Sequence, residues 1–318
     1  MQSLFSQQVA DRAAEFFTFQ YDFAINALMS SMFVGAVCAV VGAFLVLRGM
    51  SLLGDATGHA TLPGVCAAFV FVGAKETGAL LTGALVSAFV AALLVGLISR
   101  SNRSRPDAAI GVILSVFFGI GIVMLSYIQN SPTAAQSGLQ SFLFGNAAGV
   151  SREQLYVLGG ISAALIAGVA VFFRPLAVAT FDPVFARSIG VPTRAVHYGL
   201  LGALSLAVVV SIQAVGVVLV SAMLIIPPSA ALFLTKRLPR ALVFAGFIGV
   251  ASGALGAFVS YLWEGVATGP AMVIVAGLFF ALAFVFGSRG VLGRLFTKND
   301  ALSTPGESQA TPATASAE

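Results

Sequence analysis

Nine stretches of about twenty mostly apolar residues recur along the chain, at 23–47, 52–73, 78–98, 108–127, 154–173, 195–213, 216–235, 241–262 and 270–287. The hydrocarbon core of a bilayer is crossed by roughly 20 such residues in a helix. Inside that core every backbone polar group must find its partner within the protein, which leaves helices and closed barrels. Runs of this length predict an all-α polytopic membrane protein with about nine transmembrane helices. The count becomes eight if the pair joined by the tight turn at 214–216 is re-entrant. Composition agrees: 58% of the 318 residues are hydrophobic and 9% are charged, against about 25% charged in soluble domains. Too little polar side chain is present to coat a water-facing surface. The 34 glycines suit helices that pack backbone to backbone in lipid.

Lys and Arg set the orientation, because cytoplasmic loops are enriched in them. With the N-terminus outside and nine crossings, 13 of the 16 basic residues fall inside, leaving only Arg12, Lys75 and Arg152 outside. The N-terminus is therefore expected outside and the C-terminus inside. Residues 1–20 carry Leu4, Phe5, Val9, Ala13, Phe16 and Phe17 on one helical face and read as an amphipathic helix on the outer surface. Residues 21–290 form the transmembrane domain. Residues 291–318, rich in Ser, Thr, Pro and Ala toward their end, read as a disordered cytoplasmic tail. The outer loop 129–153 holds an apolar island at 139–144 that suits a short re-entrant helix. Cys38 and Cys66 lack metal or disulfide spacing and read as small core residues.

The spans contain one carboxylate, Asp55, and both histidines, His59 and His197. An ionisable group at membrane depth is costly and points to function. Asp55 and His59 are four residues apart, which places both on one helix face with Cβ atoms about 6 Å apart. A carboxylate and an imidazole converging in this way can share a divalent cation. At about 1.5 Å per residue, His59 lies roughly 14 Å beyond Met50, close to the midplane. Pro63 removes a backbone donor one turn later, and Gly54 and Gly58 form a GxxxG that admits another helix. His197, beside Arg194 at a helix start, suits a structural role at the headgroup level, and Asp107 suits the N-terminus of its helix. Gln213, at the outer end of the sixth span, and Pro227 and Pro228, expected to break or bend the seventh, are candidates for a gate or pathway. Gly249 and Gly253 read as ordinary helix packing. No GxxxxGK[ST] loop, HExxH or triad is present, so the chain does not read as an enzyme.

Four segments resemble the metal-ion ABC permease family, which imports zinc, manganese or iron into bacteria. They are 47–64 (LRGMSLLGDATGHATLPG), 141–146 (SFLFGN), 181–192 (FDPVFARSIGVP) and 214–228 (AVGVVLVSAMLIIPP). The resemblance runs in order from about residue 22 to 290. It implies the fold of a type II ABC importer permease in the bacterial cytoplasmic (inner) membrane. Asp55 and His59 match the intramembrane Asp and His held to contact the passing metal. Residues 181–192 match the loop that docks into the ATPase, with Phe181, Asp182, Pro183, Ala186 and Gly190 in the coupling motif. The resemblance also implies two permease copies, cytoplasmic ATP-binding cassette subunits that use ATP, and an extracytoplasmic metal-binding protein. Pro228 departs from the family, where many relatives carry Ala. Gln213 resembles the manganese or iron branch more than the zinc branch.

The expected function is thus the permease subunit of an ATP-driven importer of a divalent transition metal, manganese or zinc, with iron also in range. The metal is cargo, and no permanently bound cofactor is expected. Two rivals remain. A permease for chelated iron or a large cofactor would need a wide cavity and no charged pair within a helix. A stand-alone proton-driven transporter would need more intramembrane carboxylates and leaves the basic loop 174–194 unexplained.

Overall fold

The computed structural model describes residues 22–72, 76–99, 106–130, 145, 149–263 and 266–287. The expected surface helix at 1–20, the island at 139–144 and the tail at 291–318 lie outside the described residues. Within them the chain forms twelve helices and no strand: α1 (Asp22–Leu47), α2 (Leu53–His59), α3 (Thr61–Val72), α4 (Thr77–Ile98), α5 (Pro106–Gln129), α6 (Arg152–Val171), α7 (Phe173–Phe181), α8 (Pro183–Ser188), α9 (Thr193–Val215), α10 (Val217–Leu234), α11 (Leu238–Leu262) and α12 (Thr268–Phe286). Eight of the described helices are long and apolar enough to cross a membrane.

The ninth passage is made by α2 and α3 together, and contacts at the two ends of the bundle establish it. The start of α1 is tied to the start of α6 by Asn26, whose side-chain amide donates to the Val150 carbonyl at 3.2 Å. Thr77, at the start of α4, lines one cleft with Ser151 and Gln154. These starts share one end of the bundle. At the opposite end Arg48 touches His197, and His197 lies against Gly96 near the end of α4. Helix α4 thus begins at the Asn26 end and finishes at the Arg48 end. The chain leaving Arg48 reaches Thr77 only by crossing through α2 and α3. The same alternation continues to α12, so the described chain passes between the ends nine times.

The turn at 214–216 is no re-entrant hairpin. Gly216 alone separates α9 from α10, at φ +88°, a left-handed conformation that favours glycine. Both helices run the full depth. Val215 packs near Gly269 at one end, and Phe233 near Gly287 at the other.

Lipid offers little hydrophobic drive between helices, so small residues that allow close packing set the contacts. Helices α1 and α11 run antiparallel on this principle. A Cβ at Gly35 would collide with the Gly249 carbonyl, and one at Gly253 with that of Ser31. The GxxxG of Gly249 and Gly253 therefore serves packing within the chain, as expected. On α2, Gly54 meets Leu224 and Gly58 meets Val217 of α10. Outward faces stay apolar: Val112, Val116 and Val123 of α5 are exposed, as suits a lipid or protein neighbour rather than water.

The expected break at the paired prolines is absent. Pro227 and Pro228 do not break their helix, since α10 is continuous from Val217 to Leu234 with both prolines inside it. Pro228 cannot donate to the Leu224 carbonyl four residues back. That carbonyl instead faces Gly42 of α1, where a Cβ would collide with it. The backbone of a neighbouring glycine fills the space, and the helix carries on.

Candidate functional site

Helix breaks at membrane depth are tolerated where they line protein or a cavity, and the second passage breaks where its chemistry lies. Helix α2 ends at His59 and α3 starts at Thr61. Pro63 has no N–H to offer the His59 carbonyl, which is the acceptor a straight helix would use. Hydroxyls satisfy the surrounding carbonyls. Thr61 Oγ1 donates to the Gly58 carbonyl at 2.6 Å, and Thr57 Oγ1 to that of Leu53 at 2.7 Å. From α4, Ser87 Oγ donates to the Ala60 carbonyl at 2.6 Å. Ser87 lies ten residues into α4, about 15 Å from its start. The break thus sits near the middle of the bundle.

Asp55 and His59 project from the same face of α2. Asp55 Oδ1 stands 3.5 Å from His59 Nε2, with the Asp55 side chain 36% exposed and that of His59 21% exposed. His59 Nδ1 is buried with no hydrogen-bond partner among the described residues. The imidazole meets Phe118 of α5 edge-on, with ring centroids 4.9 Å apart. Phe118 also lies midway along its helix, so both neighbours place His59 at mid-depth, with Asp55 one turn nearer the Arg48 end. Helix α5 comes this close because Gly121, one turn on, leaves room for Leu62.

Two ligand atoms each about 2.1 Å from one ion at a tetrahedral angle stand roughly 3.4 Å apart. The observed 3.5 Å therefore suits a shared divalent ion without rearrangement of the backbone. Among the described residues no three His, Cys, Asp or Glu side chains converge, so the pair could offer an ion two donor atoms and not a closed cage.

Other predicted residues lie elsewhere. His197 is at the Arg48 end, with Nδ1 3.4 Å from Arg48 Nη1, and it lies against Gly96 and Tyr198, consistent with a structural role. Gln213 lines a cleft of about 410 Å3 with Thr77, Ser151, Glu153 and Gln154, and neither Asp55 nor His59 takes part in it. Pro227 and Pro228 are buried in α10, the helix on which α2 packs. Asp107 sits in the first turn of α5. Cys38 and Cys66 are separate, buried and free.

Residues 181–192 fold into a defined unit at the Arg48 end. Asp182 caps α8, its Oδ1 accepting from the backbone N–H of Val184 at 3.0 Å and of Phe185 at 2.8 Å. Pro183 occupies the first helical turn, where its missing N–H costs nothing. Ala186 is fully buried, and its carbonyl accepts from the Val191 N–H at 2.9 Å. Gly190 takes φ +83°, the left-handed stop that ends many helices. Phe181, Val184, Phe185 and Ile189 remain exposed. The result is a short capped helix presenting an apolar face.

The sequence did not single out Phe118, Thr57, Thr61 or Ser87. A hydroxyl midway along an apolar span is a readable signal in Ser87, whereas Phe118 is one of 27 phenylalanines and only packing distinguishes it.

Comparison with known proteins places this architecture in context. Residues 20–287 match the model of the ABC 3 transport family. The manganese transport system membrane protein MntC of Bacillus subtilis is 42% identical over 81% of this chain, a match that takes in 59% of that longer protein. The zinc transport system membrane protein TroC of Treponema pallidum is 35% identical over 86% of this chain and 92% of its own length. The chelated iron transport system membrane protein YfeD of Yersinia pestis is 37% identical over 84% and 86% respectively. Among solved structures, PsaBC from Streptococcus pneumoniae in complex with Fab matches with a TM-score of 0.77 and 32% identity, over 89% of this chain and 99% of that one.

Proposed function

The chain belongs to the ABC 3 transport family, and on that footing we propose that it is the permease subunit of an ATP-driven importer for a divalent transition metal ion. Relatives named for manganese, zinc and iron transport support the cargo class. Manganese is the foremost cargo by the level of identity. The observation that carries the reading is the Asp55–His59 pair at the break of the second passage.

A bare divalent ion cannot enter hydrocarbon, so its lost water must be replaced by fixed ligands. A transport site must also release what it binds. Two protein ligands per chain meet both demands, since water or a second copy's pair completes the shell. Two copies around one axis would offer two carboxylate oxygens and two imidazole nitrogens. That set suits manganese and zinc alike, because divalent affinities at N/O sites follow a general order rather than a private one. Selection then falls to the extracytoplasmic metal-binding protein that delivers the ion.

The energy comes from cytoplasmic ATP-binding cassette partners. Helix α8, with Phe181, Asp182, Pro183, Ala186 and Gly190 shaping it, is their docking element: a rigid capped turn with an apolar face fits a cleft and transmits its movement. Seven of the eight described Lys and Arg residues lie at this end of the bundle, with Arg152 at the other. By the positive-inside rule this end faces the cytoplasm, and the chain resides in a bacterial inner membrane.

The test is uptake of radiolabelled manganese by vesicles holding the permease with its ATPase and binding protein. His59→Ala should lower uptake at least ten-fold. Adding Asp55→Asn should lower it little further, because residues that act as a unit are non-additive. Multiplying losses would separate the two residues and contradict a shared ion.

A further inference from the structure

An apolar groove of about 520 Å3 opens on the flank of the bundle between α6 and α9, and neither Asp55 nor His59 lines it. Gly168 of α6, Phe172 between α6 and α7, Pro175 of α7, Pro192, and Gly199 and Ala203 of α9 form its walls. From Ala195 to Ala203 it follows α9 for about 12 Å.

Two of these glycines have no packing reason to be glycine. A Cβ added at Gly168 or Gly199 would meet nothing within 4 Å, whereas one at Gly35 or Gly249 would strike a neighbouring backbone. Glycine inside a helix is destabilising relative to alanine. At these two positions it brings no helix closer, and its effect is to keep the groove open. At the end of the groove formed by Phe172, Pro175 and Pro192, Arg174 and Arg194 immediately precede the lining residues Pro175 and Ala195 in the chain, and both are exposed. This is the cation-rich end of the bundle.

We infer that the groove holds an acyl chain of an anionic phospholipid, with the headgroup phosphate paired by Arg174 and Arg194. The lining is almost wholly apolar, which excludes an ion or a polar peptide. A helix from another protein would have to bury two arginines or supply acids to meet them. A phospholipid satisfies both parts at once: its tail lies along α6 and α9, and its charge sits at the headgroup depth where the arginines are. Basic sites between transmembrane helices recognise anionic headgroups in this way. The lipid would brace α6 against α9, the two helices that flank α7 and α8. This inference is independent of which metal is carried.

The experiment uses the full chain in neutral detergent and native mass spectrometry, with dioleoyl phosphatidylglycerol and dioleoyl phosphatidylcholine as probes. Phosphatidylglycerol should be retained in preference. Arg174→Gln and Arg194→Gln should each lower that preference about five-fold, the factor for one basic residue at an anionic surface, while phosphatidylcholine binding stays unchanged. Gly168→Leu with Gly199→Leu should fill the groove and lower retention of both lipids in a protein that still elutes as a single species. Equal retention of the two lipids by the unaltered chain overturns the inference. So does an unchanged preference in the arginine variants, which alter only exposed side chains. Disulfide cross-linking of Gly199→Cys between two permease copies would assign the groove to a second copy and overturn it as well.

Discussion

Two passages of this bundle carry proline beyond their first turn, and they respond to it in opposite ways. In the second passage Pro63 coincides with a break, and α2 stops at His59. In α10 two adjacent prolines leave the helix continuous. The proline chemistry is the same in both. The surroundings of the freed carbonyls differ. Around the break, hydroxyls of Thr57, Thr61 and Ser87 bond to the main-chain carbonyls of Leu53, Gly58 and Ala60, on either side of the His59 carbonyl that Pro63 leaves without its helical donor. Along α10 the Leu224 carbonyl is met by the bare backbone of Gly42, and the helix is unbroken. Proline therefore marks where a membrane helix can open, and neighbouring hydroxyls or glycines decide whether it does. The passage that opens carries the ionisable pair, and the one that stays closed forms the wall behind it.

The comparison is broken most severely by Gly42→Leu. A side chain there strikes main chain, which cannot turn aside, so α1 and α10 must separate. Overpacking of this kind ranks among the largest single-residue effects. Loss of most folded permease is expected in fluorescence-detected size-exclusion of membrane extracts. Gly54→Ala on α2 faces only the flexible Leu224 side chain and should keep most of the folded protein.

Exchanging the prolines is the next test. Pro63→Ala restores an N–H for the His59 carbonyl and lets the second passage straighten, which would shift the face carrying Asp55 and His59 relative to Phe118 and α5. Uptake should fall about ten-fold at unchanged abundance. Pro228→Ala restores a donor in a helix that is already continuous, so transport should stay within about two-fold of normal. Equal effects from the two would remove the distinction between the passages.

A smaller effect is expected from Ser87→Ala, which deletes one hydroxyl at the break. A net hydrogen bond contributes about 1 kcal/mol, so thermal stability in detergent should drop modestly, with uptake reduced by a few-fold. Thr82→Ala on the same helix is a control, because its hydroxyl bonds only within its own turn, to Ala79.

Much of this was legible in the sequence, for a physical reason. A bilayer imposes a one-dimensional rule on length and polarity, so the spans, the charge-rich loops and the isolated Asp55 and His59 stand out without any knowledge of packing. The i, i+4 spacing alone predicted that the pair would meet. The capped turn at 181–192 could be read from Asp182, Pro183 and Gly190, whose structural roles are local. The fate of Pro227 and Pro228 could not be read, because it rests on Gly42, which lies far away along the chain. The same holds for Ser87 and Phe118, which reach the break from α4 and α5. Gln213 stood at the correct end of its span, yet depth along one helix does not say which cleft it faces.

The central claim is that Asp55 on the broken passage contacts the metal in transit. Its most direct test is manganese uptake by Asp55→Asn, measured at matched membrane abundance with the ATPase and binding protein present. Asparagine keeps the shape and hydrogen bonding of the side chain and removes its charge. The account predicts that uptake falls to near background while the assembled complex still hydrolyses ATP. Near-normal uptake by a well-expressed Asp55→Asn permease would contradict it.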